Sequence, residues 1–170
     1  SNIGNTTAAY DGFSGLNFIA GEDVDSAGGD GSTTQTVELN GINVTGFQNI
    51  NFSALFAAGN ASDPGVNKYD KADGMVIEYR FDSGSWVSGM CFSYENHGDD
   101  FNEPLALDAD CLNFADATDG TGRLTPTLTA YDFDLVGTGN VLDIRISMTV
   151  DAAGEEAAFD NIVISGDAGD

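Results

Sequence analysis

Met75-Val76-Ile77-Glu78-Tyr79-Arg80-Phe81-Asp82-Ser83-Gly84-Ser85-Trp86-Val87-Ser88-Gly89-Met90-Cys91-Phe92-Ser93-Tyr94 reads as two strands joined by a turn. Large apolar side chains alternate with polar ones on both sides, the period of a half-buried strand. Asp82-Ser83-Gly84-Ser85 supplies the turn residues of a hairpin. Tyr79, Phe81, Trp86 and Phe92 are therefore expected to contribute core from this hairpin.

The same grammar extends in both directions. Strands are expected at 16–20, 36–39, 50–57, 75–81, 86–94, 127–131, 141–150 and 158–164. Glycine- and Asx-rich breaks separate them, as in Ala27-Gly28-Gly29-Asp30-Gly31, Asn40-Gly41 and Gly137-Thr138-Gly139-Asn140. Helical periodicity is nearly absent; the one helix-like window, Ser53-Ala54-Leu55-Phe56-Ala57-Ala58, sits inside an alternating pattern. No repeat of fixed period shows, which argues against a propeller or solenoid. Eight or nine short strands with long acidic loops predict an all-β fold, a two-sheet antiparallel β-sandwich of jelly-roll type. At 170 residues the chain suits a single domain. We place it at 10–166, with a tag remnant and flexible N-terminus at 1–9 and a flexible end at 167–170.

Charge narrows the function. Twenty-eight acids face five bases, a net charge of −23, while 41% of residues are hydrophobic, too many for a disordered acidic tail. Such a surface repels phosphate backbones and anionic lipid, so no nucleic-acid partner is expected. No apolar run is long enough to insert in a membrane. Catalysis finds little support. His97 is the only histidine, and there is no Gly-x-Ser-x-Gly elbow, phosphate loop or dinucleotide fingerprint. Acids are too common for a glycosidase pair to be singled out. The chain is expected not to be an enzyme.

Four groups of oxygen donors remain: Glu22, Asp23 and Asp25; Asp70 and Asp73; the acids between Asp99 and Asp119; and Glu155, Glu156, Asp160 and Asn161. Calcium takes six to eight oxygen ligands from loops without strict geometry, and none of these groups has EF-hand spacing. First and last strands commonly adjoin in a jelly roll, which would bring Glu22, Asp23 and Asp160 around one Ca2+. Asp160 is conspicuous because it lies mid-strand between apolar neighbours, where a polar group is costly unless satisfied. The expected metal set is Glu22, Asp23, Asp25, Asp70, Asp73, Glu156 and Asp160. The segment 95–119 has weak strand character and is expected to be one large loop carrying a ligand site. Tyr94, His97, Asp99, Asp100 and Phe101 are its candidates, with Tyr69, Trp86 and Phe114 as further sugar-stacking rings. Cys91 and Cys111 are the only cysteines. An even pair in an acidic β-domain fits a secreted disulfide, and two buried thiols are the alternative.

Read in order, Gly21-Glu22-Asp23-Val24-Asp25, Asp73 through Gly84, Gly137 through Ile146 and Glu155-Glu156-Ala157-Ala158-Phe159-Asp160-Asn161-Ile162 resemble non-catalytic β-sandwich modules of bacterial secreted proteins. Those modules are appended to extracellular nucleases and lamin-tail-domain surface proteins; a more distant similarity is to jelly-roll carbohydrate-binding and laminin-G-like modules. The resemblance spans about residues 10–166 and does not cover the cysteine-bearing acidic segment. It implies an extracellular or cell-surface location, often structural calcium, and covalently linked domains of a parent protein. The implied function is a calcium-stabilised binding module for a glycan or other surface component. The runner-up is a purely structural accessory domain of a secreted hydrolase.

Overall fold

The computed structural model describes residues 9–24, 32–59, 69–95, 103–108, 111, 122–152 and 154–169. Among these there is no helix. Nine strands form: β1 (Ile19–Glu22), β2 (Thr34–Asn43), β3 (Phe47–Gly59), β4 (Gly74–Phe81), β5 (Val87–Tyr94), β6 (Leu105–Asp108), β7 (Thr129–Asp134), β8 (Val141–Thr149) and β9 (Glu156–Ala168). They make a four-stranded sheet in the order β1-β9-β3-β7 and a five-stranded sheet in the order β2-β8-β4-β5-β6. All strand pairings are antiparallel. Early strands pair with late ones, β1 and β3 with β9, β2 and β4 with β8, as in a jelly roll.

Period-two alternation packs the two sheets together. Phe52, Ala54 and Phe56 of β3 face Ile77 of β4, Phe92 of β5 and Leu142, Ile144 and Ile146 of β8 in one buried cluster. Phe56 and Phe92 meet between the sheets with ring centroids 5.1 Å apart. A smaller cluster of Tyr10, Ala20, Ala57, Leu128 and Ala158, with Phe18 and Leu55 against it, shows that the N-terminal segment covers part of the four-stranded sheet's other face.

Three local expectations are corrected. Part of the expected large loop is strand: β6 pairs with β5 through Cys91↔Asp108 to Tyr94↔Leu105. Asn40-Gly41 does not end β2. The register shifts between Leu39 and Ile42, and Gly41 takes a positive φ of 77°. Its N–H donates to Asp143 Oδ1 at 2.9 Å, so the turn signal is a bulge. Trp86 is not core. It is half-buried just before β5, with the guanidinium carbons of Arg80 and Arg145 each 4.3 Å from its ring centroid. Cation–π attraction holds it outside the sandwich, while Tyr79 and Phe92 are buried and Phe81 packs against the core.

β9 contains a second bulge that decides how its polar residues are read. Ala157 and Phe159 point into the core, and so do Ile162 and Ile164. Strict alternation cannot connect 159 to 162. The register against β3 shifts between Ser53 and Leu55, opposite Asp160-Asn161, and Asn161 has a positive φ of 52°. One extra residue re-phases the strand, which lets polar residues sit in its middle without entering the core.

Candidate functional site

Two tight turns face each other at the end of the sandwich where β4 and β9 begin and β8 ends. In the first, Asp73 N–H donates to Asp70 O at 3.0 Å, and Asp70 N–H donates back to Asp73 Oδ2 at 2.6 Å. Asp70 Oδ1 accepts from Ala72 N–H at 2.7 Å. These bonds seat Asp73, fully buried, at the entry to β4. In the second, Glu155 N–H donates to Ala152 O at 3.0 Å. Glu155 Oε2 accepts from Asp151 N–H at 3.1 Å and Ala152 N–H at 2.7 Å. Gly74 opposite Thr149 in the β4–β8 ladder brings the turns together. One carboxylate oxygen each from Asp73, Asp151 and Glu155 then lies within 4.8 Å of the others.

The electrostatics of this end are unfavourable in the absence of a counter-charge. Burial first, then the charges of Glu155, Asp70 and Asp151, push Asp73 up to about 8 against the hydrogen bond from Asp70. Burial and Asp151 likewise raise Glu155, opposed by the Ala152 amide and a hydrogen bond with Asp73. Among the described residues no N–H or hydroxyl donor reaches Asp73 Oδ1, although it is buried. A proton shared with Glu155 or a cation would relieve it.

A second pair of carboxylates lies nearby. Glu22 and Glu156 are directly opposite in the β1–β9 ladder. Burial and the charge of Glu156 raise Glu22, while a Gly154 amide hydrogen bond opposes them. Glu156 is fully buried, and the buried Tyr69 hydroxyl donates to its carbonyl. Tyr10, also buried, has a hydroxyl that burial and these same groups raise.

The expected metal set is therefore split. Asp70 and Asp73 belong to the facing turns, whereas Glu22 and Glu156 form the separate ladder pair. Asp23 follows β1 with a positive φ of 44°, and Asp25 lies outside the described residues. Asp160 does not join Glu22. The register puts Glu156 opposite Glu22 and Phe159 opposite Ile19, so Asp160 lies four residues along β9 from the Glu22 pairing, about 13 Å at strand spacing. Its Oδ2 instead accepts from Ser14 N–H at 2.6 Å, tying the N-terminal segment to the sheet. Asp151 stands outside the four expected donor groups, and Glu155 is among the donors but outside the expected metal set. The signal available was the acid directly after an apolar strand and the four-residue spacing to Glu155.

Of the expected ligand-binding residues, Tyr94 is 2% exposed and cannot serve as an open stacking platform. His97, Asp99, Asp100, Phe101 and Phe114 lie outside the described residues. Tyr69 is buried too, and Trp86 has its two arginines. Cys91 and Cys111 are joined in a disulfide with Cα atoms 5.5 Å apart. Asp108 braces that junction: Oδ1 accepts from Cys111 N–H and Oδ2 from Ser93 Oγ, both at 3.1 Å.

At the opposite end, where β3 and β8 begin and β4 and β9 finish, a cleft of about 540 Å3 is lined by Gly46, Phe47, Gln48, Asp82, Thr138, Gly139, Asn140 and Gly169. Phe47 is 49% exposed. Asp82 Oδ1 fixes one wall by accepting from Asn140 N–H at 3.0 Å and Val141 N–H at 2.9 Å. Asn140 O accepts from Val44 N–H at 2.9 Å, tying that wall to the segment before β3. No helix among the described residues is long and apolar enough to cross a membrane. Compared with known proteins, the chain matches no family model and no curated sequence.

Proposed function

We propose that this domain is a non-catalytic binding module of a larger secreted or surface protein, and that it recognises a glycan at the Phe47 cleft. The observation that carries the reading is an exposed aromatic residue at a cleft otherwise lined by two amides, a hydroxyl, a carboxylate and three glycines. An aromatic face packs against the C–H face of a sugar, and Gln48, Asp82, Thr138 and Asn140 offer donors and acceptors for its hydroxyls. A net charge of −23 favours neutral over anionic glycans. The Cys91–Cys111 disulfide supports an oxidising, extracellular setting.

A second reading, an accessory domain with no ligand of its own, is favoured by the enclosure of Tyr69 and Tyr94 and the stacked state of Trp86. Screening neutral and acidic oligosaccharides, followed by calorimetric titration of Phe47→Ala, separates the two. We expect binding to a neutral glycan that Phe47→Ala weakens at least about tenfold, as loss of one stacked ring does, with the melting temperature unchanged. No binding to either class, or binding that survives Phe47→Ala, would reject the cleft.

A further inference from the structure

We propose that Asp73, Asp151 and Glu155 form a binding site for one hard divalent cation of calcium's class, clamping the two sheets at the acidic end of the sandwich. This goes beyond the glycan reading. It concerns the opposite end of the strands and stands whether or not the Phe47 cleft binds a sugar.

Distance is the first argument. Two oxygens bound to one Ca2+ at 2.3–2.6 Å cannot lie more than about 5 Å apart. The three carboxylates each present an oxygen within 4.8 Å of the others. The second argument is independent of clustering. Asp73 is fully buried, the Asp70 amide holds its Oδ2, and among the described residues no N–H or hydroxyl donor reaches Oδ1. A buried carboxylate oxygen left in this state is costly, and a bound cation removes the cost. The turns that carry the ligands are themselves braced by backbone bonds, from Asp70 N–H on one side and from Asp151 and Ala152 N–H on the other. The oxygens are thus positioned without rearrangement.

Ligand chemistry selects the ion. The donors are all carboxylates, with no histidine or thiolate among them, which suits hard cations rather than zinc or copper. They come from two turns at irregular positions and are largely buried, which favours calcium's flexible coordination over the water-rich octahedron of magnesium. The consequence is mechanical. Asp73 and Asp151 flank β4 and β8 of the five-stranded sheet, whereas Glu155 precedes β9 of the four-stranded one. One ion would tie both sheets at a point where three carboxylates otherwise repel.

The test uses the intact chain stripped with EDTA, then titrated calorimetrically with calcium chloride and with magnesium chloride. Thermal melts are run in calcium and in sodium chloride of matched ionic strength. We expect one calcium per chain, weaker magnesium binding, and a rise in melting temperature of about 5–10 °C at a hundredfold excess over Kd. Sodium chloride should not reproduce that rise. Asp151→Asn, on the half-exposed member, should weaken calcium binding at least about tenfold with the circular dichroism unchanged. Glu22→Gln, at the neighbouring pair, should leave it intact. Asp73→Asn provides a second variant, because its amide oxygen can still accept from Asp70. The proposal is overturned if calcium does no more than sodium, in which case a shared proton fills the site. It also fails if both Asp151→Asn and Asp73→Asn keep the calcium increment, or if Glu22→Gln removes it.

Discussion

The cation-free protein is expected to lose stability as pH rises through the neutral range, and Asp73 is the main reason. Its folded value is about 8 against an ordinary 3.8. Below 3.8 the group is protonated folded or unfolded. Between the two values the folded chain keeps the proton and the unfolded chain releases it, so folding binds protons and stability falls with rising pH. One proton corresponds to about 1.4 kcal/mol per pH unit, or about 4 kcal/mol from pH 5 to 8. Water entry and movement of the two turns reduce this, and we expect a loss of about 2–4 kcal/mol. Glu155 and Glu22 are also raised and act with the same sign. Asp143 is lowered, by the Gly41 amide first and then by Arg80. Its stabilising contribution disappears only as the solution becomes more acidic than its ordinary value, outside this window. Urea unfolding in excess EDTA, followed across the range at low and high sodium chloride, measures the slope, and salt screens the general repulsion of a −23 chain. Asp73→Asn keeps an acceptor for Asp70 N–H and removes the charge. It should flatten the slope by about one proton and, at alkaline pH, exceed wild type by about 2 kcal/mol, or about 6 °C for 170 residues. A variant as pH-sensitive as wild type, or less stable than it at alkaline pH in EDTA, would refute this account of Asp73.

Reducing and alkylating Cys91 and Cys111, twenty residues apart, should cost about 3 kcal/mol and lower the melting temperature by about 9 °C; a change under about 2 °C would show that the β5–β6 pairing already restrains the chain without it. Gly89→Ala places a Cβ 2.0 Å from Phe133 Cε2, on the facing sheet, and should cost about 1–3 kcal/mol in urea unfolding. Asp160→Ala frees Ser14 N–H and should cost about 1.5 kcal/mol while leaving any calcium-dependent rise in melting temperature untouched; loss of that rise would return Asp160 to the cation site.

The two-sheet fold was legible because the core obeys alternation nearly everywhere. Tyr79, Phe92, Leu142, Ile144 and Ile146 take the faces that their spacing assigns. Two features escaped that rule for the same reason. Gly41 and Asn161 each sit at a bulge with positive φ, where one added residue breaks the period without ending the strand. Asn40-Gly41 therefore looks like a turn, and Asp160-Asn161 looks like a polar group forced into a core. β6 was hidden because its four residues, Leu105 to Asp108, are too few to display a period among acidic neighbours. Trp86 was misassigned because alternation cannot tell a ring buried in a core from one held between two guanidinium groups. The acidic end was half legible. Asp70 and Asp73 are close in sequence, but their approach to Asp151 and Glu155 depends on the β4–β8 register, which no local pattern encodes.

In a chain with this many acids, proximity between carboxylates says little, and what each one accepts says more. Asp82 takes two backbone N–H groups beside the cleft, Asp108 takes Cys111 N–H and the Ser93 hydroxyl, Asp143 takes Gly41 N–H and Arg80, and Asp160 takes Ser14 N–H. Each thereby fixes a turn, a bulge or a loop. Asp73 differs because only one of its oxygens is used in this way while the other is buried with no N–H or hydroxyl donor among the described residues. A carboxylate that served only to brace the Asp70 turn would gain nothing from burying its second oxygen at an end of the sandwich that also holds Asp151 and Glu155. Burial there raises the cost of its charge, and the cost is recovered only when a positive species enters. What sets Asp73 apart from the structural acids is therefore the unfilled hydrogen-bond capacity of a buried oxygen. By that measure the acidic end of the sandwich is built around Asp73 rather than Asp160.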